Sequence, residues 1–266
     1  MMGTMTGTAP ASDGPAATPR VAFVIPAKDE GATVEVLLAD IERACAALAP
    51  FEIVYVDDGS ADDTQGRLAA ARAARPHLRV VRHAVNAGKS AALRSGVAAA
   101  RAPVIAMLDG DGQNDPAFVP AMVAKLGDPR VALVAGQRLR RGDSGFKLIQ
   151  SRIANGVRAA LLADDTRDTG CGLKVVRRDV FLRLPYFDTM HRFLPALVRR
   201  EGYAIAHHDV VDRPRHAGHS HYGMLDRLLV GIPDLFGVWW LIRRRRRLPG
   251  AQEVLVQEAP FQEVRP

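Results

Sequence analysis

Short apolar runs separated by longer amphipathic stretches mark the first half of the chain. The runs cover residues 21–25, 51–56, 78–82 and 104–108. Apolar runs of this length, each followed by turn-forming residues, predict buried strands of a mostly parallel sheet. Residues 32–48, 61–74 and 86–100 lie between the runs and have helical spacing. This alternation predicts an α/β fold with a doubly wound sheet and helices on both faces.

A short polar motif follows or closely follows each of the four predicted strands. The motifs are Pro-Ala-Lys-Asp-Glu at 26–30, Asp-Asp-Gly-Ser at 57–60, Asn-Ala-Gly-Lys at 86–89 and Asp-Gly-Asp-Gly-Gln at 109–113. Ligands of open α/β sheets bind beyond the carboxyl ends of the strands. Four polar loops collected at one edge therefore predict a ligand site, which no single loop would establish.

Asp109 and Asp111 are the strongest candidates for chemistry, because two carboxylates one residue apart repel each other unless a cation holds them together. Gly110 and Gly112 keep the backbone between and after them bendable. Mg²⁺ prefers a few carboxylates together with phosphate oxygens and water. The motif therefore predicts a divalent cation beside a diphosphate. An ordinary Asp/Gly turn is the alternative that this motif alone leaves open.

Other ligand-binding signatures are missing or incomplete. No GxGxxG motif follows the first predicted strand, which disfavours a dinucleotide oxidoreductase. The segment 88–90 lacks the glycine that a P-loop needs five residues before its lysine, because Ala84 stands there. The histidines between 207 and 221 have no zinc-site spacing. Cys45 and Cys171 suggest no disulfide framework, and a reducing compartment is the simplest inference.

The four motifs, in this order and spacing, resemble those of inverting glycosyltransferases with the GT-A fold. The resemblance covers roughly residues 20–225 and is strongest to polyprenyl-phosphate sugar transferases of the dolichyl-phosphate mannosyltransferase type. It implies transfer of a sugar from a nucleotide-diphosphate sugar to a polyprenyl (undecaprenyl or dolichyl) phosphate, with inversion. Because a phosphate monoester is already anionic near neutral pH, the protein's task is orientation and stabilisation of the leaving group.

The resemblance also implies roles for individual residues on the donor side. Glu30 would accept hydrogen bonds from ribose hydroxyls, and Asp58 would bind the edge of the base. The implied nucleotide-binding set is Pro26, Ala27, Glu30, Asp57, Asp58, Lys89 and Asp109. Asp109, Asp111 and Gln113 would hold Mg²⁺ or Mn²⁺, and Asp111, Asp168 and Arg138 form the implied catalytic set. For Asp57, a turn or a helix N-terminus is the alternative.

The second half of the chain supplies the implied acceptor site. Further strands are predicted at 131–135 and 203–211, and helices at 147–162 and 191–200. The residues implied to bind the acceptor phosphate are Arg138, Ser151, Arg215 and Ser220. A solvated basic face is the alternative for Arg138 and the basic residues that follow it up to Arg152. Asp168 would orient the sugar or help to activate the acceptor, with a turn as the alternative. His221 stands where the family has lysine, so a fixed positive charge there is in doubt.

The two ends of the chain differ from the predicted catalytic domain at 20–222. Residues 1–19 are polar and proline-rich, lack the pattern of a secretory signal, and predict a disordered leader, as 248–266 predict a disordered tail. Residues 223–247 predict an amphipathic helix whose tryptophans and arginines suit a bilayer interface. We therefore expect peripheral attachment at the cytoplasmic membrane face, or a membrane-anchor partner. Packing on the domain or on a second subunit is the alternative.

The net charge narrows the choice of partners. The chain has a net charge of +7, and the arginine run at 243–247 alone contributes five positive charges. Without that run the chain would be nearly neutral. That distribution argues against a nucleic-acid-binding protein. Two other functions stay open: a sugar-phosphate nucleotidyltransferase, which would release pyrophosphate, and a non-catalytic module that binds a nucleotide sugar at the membrane. The identity of the products would separate them.

Overall fold

The computed structural model describes residues 18–139, 161–162, 166, 168–214 and 224–245, with side chains in the last range described from residue 232 onward. The strands are β1 (Val21–Ala27), β2 (Phe51–Asp57), β3 (Leu78–Arg82), β4 (Val104–Met107), β5 (Val131–Arg138), β6 (Lys174–Arg177) and β7 (Ala204–Val210). The helices are α1 (Val34–Ala44), α2 (Thr64–Ala74), α3 (Lys89–Ala99), α4 (Val119–Lys125), α5 (Arg178–Arg183), α6 (Leu194–Arg200) and α7 (Met224–Arg243). Short 3-10 turns occupy Gly31–Thr33, Ala46–Leu48, Pro116–Phe118 and Met190–Arg192.

The strands form one sheet in the order β3-β2-β1-β4-β6-β5-β7. Strands β1 to β4 are parallel to one another, and β5 is parallel to β7. Strand β6 runs antiparallel to both of its neighbours, β4 and β5. The direction of winding reverses between β1 and β4. Ligands of doubly wound sheets bind at such a reversal, beyond the carboxyl ends of the two strands.

Apolar side chains cover both faces of the central strands. All seven residues of β1 are buried, as are six of the seven in β2. Phe23 and Tyr55 pack in a cluster with residues of α1 and α2, whereas Val24 packs in a second cluster with residues of α3 on the other face. A Cβ at Gly96 of α3 would lie 2.5 Å from Val24 Cγ1. The small residue therefore lets α3 approach the sheet closely.

The strands predicted from the apolar runs are present, with shifted ends. Strand β1 extends through Pro26 to Ala27, because pairing with β2 continues after pairing with β4 ends at Val24. Proline is tolerated where one side of a strand is unpaired.

Strand β6 and helices α4 and α5 are additions to the predicted elements. Helix α6 begins at Leu194, after the 3-10 turn, and so starts later than the helix predicted from residue 191. Of the helix predicted at 147–162, residues 161–162 are helical and the rest lie outside the described residues.

Helix α7 packs along the face of the sheet that α3 covers. Val238 is buried in that core cluster, and the Arg200 Nε donates to the Leu241 carbonyl at 3.0 Å. Its outer face presents Ile232, Phe236 and Trp240, which are about half exposed (49%, 57% and 54%). One face thus packs on the domain, which was the alternative considered for this helix, and a second face is apolar and open.

Within the described part of the chain, no helix is both long enough and apolar enough to cross a bilayer.

Candidate active site

The loop after β1 is tied to the loop after β2 by polar side chains. The Asp29 carboxylate accepts from the Ala61 amide at 2.7 Å, and the Asp29 amide donates to Ser60 Oγ at 2.9 Å. The Glu30 amide donates to Thr64 Oγ1 at 3.1 Å. Asp29 itself has a left-handed backbone, with φ of 57°. The first two polar motifs therefore form one rigid unit at the sheet edge.

Asp58 joins the loop after β3 to the same unit. Its two carboxylate oxygens accept from the Ala87 and Gly88 amides at 2.9 and 2.8 Å, and Oδ1 also lies 2.7 Å from His83 Nδ1. Asp57 accepts from the Ser60 amide at 2.9 Å, which is the turn contact considered as its alternative role. The nucleotide-binding roles of Asp57 and Asp58 stay predictions. The structure adds that both carboxylates already hold loops.

The end of β1 and the loop after β4 touch each other. A Cβ at Gly110 would lie 2.7 Å from Ala27 Cβ and 3.2 Å from the Pro26 carbonyl oxygen. The Thr33 hydroxyl lies 2.5 Å from the Gly110 carbonyl and 2.8 Å from that of Glu30. Glycine at position 110 is required by this approach. The predicted nucleotide residues at 26–30 and the predicted metal residues at 109–113 are therefore adjacent.

Asp109 lies in the crevice and pairs with Lys89. Lys89 Nζ is 2.5 Å from Asp109 Oδ1, and the two side chains are 34% and 29% exposed. Burial raises the pKa of the Asp109 carboxyl, but Lys89, helped by Lys174 and His191, outweighs it and holds the pKa below its usual value. A Cβ at Gly172 would lie 2.3 Å from Asp109 Oδ2. Only glycine at position 172 leaves room for this carboxylate.

Asp111 and Gln113 follow on the same turn. Asp111 is 8% exposed, and its carboxylate accepts from the backbone amide of Gln113 at 3.1 Å. The Gln113 carbonyl accepts from the Arg213 amide at 2.8 Å, and the Arg213 guanidinium pairs with Asp40 and Asp115 at 2.5 and 2.6 Å. The segment after β7 therefore pins this turn from outside.

The donor atoms at this turn suit a hard divalent cation. Asp109 and Asp111 offer carboxylate oxygens, and Gln113 offers an amide oxygen, which are the ligand types that Mg²⁺ and Mn²⁺ take. Among the residues that the structure describes, no three His, Cys, Asp or Glu side chains are grouped so as to enclose a metal. A cation here would therefore need further oxygen ligands, which phosphate and water supply.

Arg138 and Asp168, both in the predicted catalytic set, bind each other. Arg138 Nε and Nη2 donate to the two Asp168 oxygens at 2.6 and 3.0 Å, and Nη1 donates to Asp212 at 3.3 Å. Burial raises the pKa of Asp168, but Arg138 outweighs it and lowers that pKa overall. The predicted acceptor residues Ser151, Arg215 and Ser220, and the divergent His221, lie outside the described residues.

Two polar residues that the sequence did not single out also face this edge. Lys174, 4% exposed, donates to the carbonyls of Cys171 and Thr169, and burial lowers its pKa to about 8. His191 Nδ1 lies 2.8 Å from Ser90 Oγ, and burial, followed by the charges of Lys89 and Lys174, lowers its pKa to about 3. Neither residue belongs to a motif with a recognisable spacing. Their positions depend on contacts between distant segments.

Comparisons with known proteins agree with this geometry. A family model described as Glycosyl transferase family 2 matches residues 22–184. A dodecaprenyl-phosphate galacturonate synthase of Rhizobium johnstonii is 34% identical over 244 residues, covering 86% of this chain and 69% of that protein. An undecaprenyl-phosphate 4-deoxy-4-formamido-L-arabinose transferase of Klebsiella pneumoniae is 31% identical over 218 residues. The matched region covers 81% of this chain and 66% of that protein. The chain thus spans about two thirds of the length of these relatives.

A solved structure supports the fold. Glucosyl-3-phosphoglycerate synthase from Mycobacterium tuberculosis, crystallised with Mn²⁺, UDP and glucosyl-3-phosphoglycerate, superposes with a TM-score of 0.63 at 23% identity. The superposition covers 85% of this chain and 80% of that one. Similarity at this level of identity concerns the fold alone, and it confirms the predicted GT-A-like arrangement of a mostly parallel sheet between helices.

Proposed function

Because the chain belongs to glycosyl transferase family 2, we propose that it moves a sugar from a nucleotide-diphosphate sugar to a polyprenyl phosphate. The observation that carries this proposal is the pairing of Lys89 with Asp109 in the crevice between β1 and β4, next to Asp111. The two relatives are named for reactions on dodecaprenyl and undecaprenyl phosphate, which supports the class of acceptor. The sugar and the base are left to experiment.

The donor would lie along the edge formed by the first four strands. Glu30 would accept from ribose hydroxyls. Asp58, supported by Asp57, would accept from the base, in addition to the backbone amides that the Asp57 and Asp58 carboxylates hold. Pro26 and Ala27 would supply the wall against which the nucleoside packs. Lys89 would bind a phosphate oxygen, because its ammonium is a fixed positive charge with three donors.

A divalent cation, Mg²⁺ or Mn²⁺, would bind at Asp109, Asp111 and Gln113. The Mn²⁺ in the Mycobacterium tuberculosis structure supports a cation in proteins of this fold. When bound, the ion supplies positive charge that offsets the negative charge of the diphosphate. Lys89 would then leave Asp109 for a phosphate oxygen, which its flexible side chain permits.

The acceptor phosphate would bind at Arg138 and at the predicted residues Ser151, Arg215 and Ser220. A guanidinium fork suits phosphate oxygens as well as it suits the Asp168 carboxylate that it now binds. A phosphate oxygen of the acceptor would attack the anomeric carbon as the bond from that carbon to the diphosphate breaks on the opposite face. The configuration is thereby inverted. Asp168 would then orient the sugar or the acceptor rather than act as a strong base.

The outer face of α7 would attach the protein to the cytoplasmic face of the membrane. Phe236 and Trp240 are exposed on it, and Arg243, the first residue of the arginine run, lies over the Trp239 ring at 4.4 Å. Apolar side chains next to cations suit anionic lipid surfaces. Replacing Phe236 and Trp240 by Ser should reduce binding to phosphatidylglycerol vesicles at least tenfold. Val36→Ser, which removes an equally exposed residue from α1, should not, and equal loss in both variants would contradict the assignment.

The deciding experiment is a panel of UDP- and GDP-sugars with a short polyprenyl phosphate. Lipid products are identified by mass, with and without Mg²⁺ or Mn²⁺. We expect one glycosylated lipid phosphate and a nucleoside diphosphate, in a reaction that requires the cation. Release of pyrophosphate from a nucleoside triphosphate and a sugar phosphate would instead indicate a nucleotidyltransferase. Binding of a nucleotide sugar without any turnover would indicate the non-catalytic module.

A further inference from the structure

His191 lies over the start of α3, held there from two directions. It belongs to the 3-10 turn Met190–Arg192, and its amide donates to Ser90 Oγ at 3.4 Å. The preceding Thr189 has a left-handed backbone (φ 62°), and its hydroxyl donates to the Asp234 carboxylate of α7 at 2.5 Å. A left-handed threonine is costly, so the surrounding contacts must fix this turn. The position of the imidazole is therefore set by the fold.

Ser90 can hold the His191 ring in the tautomer that carries its proton at Nε2. Ser90 is fully buried, and its oxygen already accepts from the His191 amide. Its own hydroxyl proton is then available for His191 Nδ1, which lies 2.8 Å away. A neutral imidazole that accepts at Nδ1 carries its proton at Nε2. None of the residues that the structure describes forms a hydrogen bond with Nε2, so this donor remains available to a ligand.

The charges around the ring favour a neutral imidazole and an anionic ligand. Burial, followed by the charges of Lys89, Lys174 and Arg192, lowers the pKa of His191, and Asp109 acts in the opposite direction. Helix α3 begins at Lys89, after Gly88 with φ of 87°, so its amino-terminal dipole points into the same space. An oxygen bound beside Lys89 would meet an ammonium and the positive end of a helix, next to the His191 ring that contacts Ser90 on the same first turn of α3. Phosphate oxygens are the ligands that such a set of donors suits.

We propose that His191 is a donor-binding residue whose Nε2–H hydrogen bonds to an oxygen of the nucleotide sugar's diphosphate, beside Lys89. The inference rests on the proposed function and adds to it a residue outside the four motifs. As the bond to the anomeric carbon breaks, negative charge grows on the diphosphate, and a hydrogen bond in place beforehand becomes stronger. The imidazole thus stabilises the leaving group without adding a positive charge to the ground state.

Two isosteric replacements separate ligand binding from a structural role. Asn at position 191 places an amide near Nδ1 and keeps the contact with Ser90, but it has nothing at Nε2. Gln places its amide nitrogen near Nε2. We expect His191→Asn to lower kcat about 100-fold, as the loss of one hydrogen-bond donor to a developing anion does, and to weaken calorimetric binding of the cognate nucleoside diphosphate about tenfold. His191→Gln should keep kcat within about fivefold of wild type although it gives up the contact with Ser90, whereas His191→Asn should keep the thermal midpoint of wild type.

The outcomes distinguish this inference from the function on which it rests. If wild type transfers sugar and His191→Asn does so at the same rate, or if Asn and Gln lose activity equally, His191 does not bind the diphosphate. Equal loss would mean that the ring only holds the turn. If wild type neither turns over any sugar of the panel nor binds UDP or GDP, the proposed function fails and this inference fails with it.

Discussion

Acidic side chains at the carboxyl edge of the sheet fall into two groups that bind different partners. Asp29 and Asp58, in the loops after β1 and β2, each accept from two backbone amides of another loop, although Asp29 also pairs with the adjacent Lys28 and Asp58 contacts His83. Asp109 and Asp168, in the loops after β4 and before β6, pair with the side chains of Lys89 and Arg138. The residue type and the sheet edge are the same in both groups, yet contacts with backbone amides of another loop dominate in the first group and contacts with side-chain cations dominate in the second.

This difference divides the acidic residues into a frame, whose carboxylates hold loops through backbone amides, and a site, whose carboxylates pair with side-chain cations. A backbone amide cannot leave its carboxylate without rearranging the loop, whereas lysine and arginine have rotatable stems and can exchange a carboxylate for a phosphate. The amide-bound acids therefore hold the edge in shape, and the cation-bound acids mark the places where a charged ligand enters. Asp111 tests this distinction, because it binds an amide and also lies beside Asp109.

The largest effect is expected for Asp111→Asn. The amide oxygen of Asn can still accept from the Gln113 amide, so the fold should be retained. The lost negative charge weakens the binding of any divalent cation at this turn. The rate of sugar transfer, measured as lipid product by mass, should therefore fall at least about 1000-fold. Asp179→Asn makes the same change at a 70% exposed side chain on α5 and should leave turnover unaltered. Normal turnover in Asp111→Asn would remove the cation from the proposed function.

The next effect concerns the acceptor and Arg138. Lysine keeps the charge but cannot make the two parallel hydrogen bonds that the guanidinium makes with Asp168. Arg138→Lys should raise KM for polyprenyl phosphate roughly 30-fold while changing KM for the nucleotide sugar little. Arg130 forms a similar forked contact with Asp128 just before β5, so Arg130→Lys is the matched control. A larger change in the nucleotide-sugar KM would place Arg138 on the donor side.

A smaller effect, on stability, is expected for Asp58→Asn. Asn has one acceptor oxygen, so it can serve the Ala87 or the Gly88 amide but not both. The variant should lose about 2 kcal/mol of unfolding free energy in urea titrations. Asp109→Asn should lose far less, because its partner Lys89 is partly exposed and can be solvated. If Asp109→Asn proves the less stable of the two, the separation of frame from site is wrong.

The general fold and the family could be predicted from the sequence. Short runs of five or six residues predicted five of the seven strands near their observed bounds, and a longer stretch at 203–211 predicted a sixth. The prediction of a GT-A-like fold is confirmed by the solved structure, and the prediction of a glycosyltransferase is confirmed by the family model and the relatives. Strand β6 was missed because its four residues begin with Lys174, which carries no sign of a buried strand.

The candidate site was less predictable, for a physical reason. The motifs indicated which loops meet, but a motif does not state whether an aspartate meets an amide or an ammonium. Asp58 and Asp109 have the same sequence neighbourhood, an Asp-Gly turn after a strand, and acquire different partners from α3 and its preceding loop. His191 reaches Ser90 across 101 residues, a contact that no local spacing encodes.

The smallest expected effect concerns Lys174, a buried cation held by carbonyls rather than by an acid. Its pKa in the folded protein, about 8, lies below the ordinary 10.5. Between these pH values the unfolded chain carries more protons at this group than the folded chain, so its contribution to stability rises with pH. Relative to wild type, Lys174→Met should therefore lose roughly 1 kcal/mol of unfolding free energy per pH unit from pH 8 to pH 10. Urea midpoints of both proteins measure this slope, with the exposed Lys125→Met as the control. If the unfolding free energies of Lys174→Met and wild type change with pH in parallel, Lys174 keeps its ordinary pKa. Its ammonium would then be solvated rather than buried at the sheet edge.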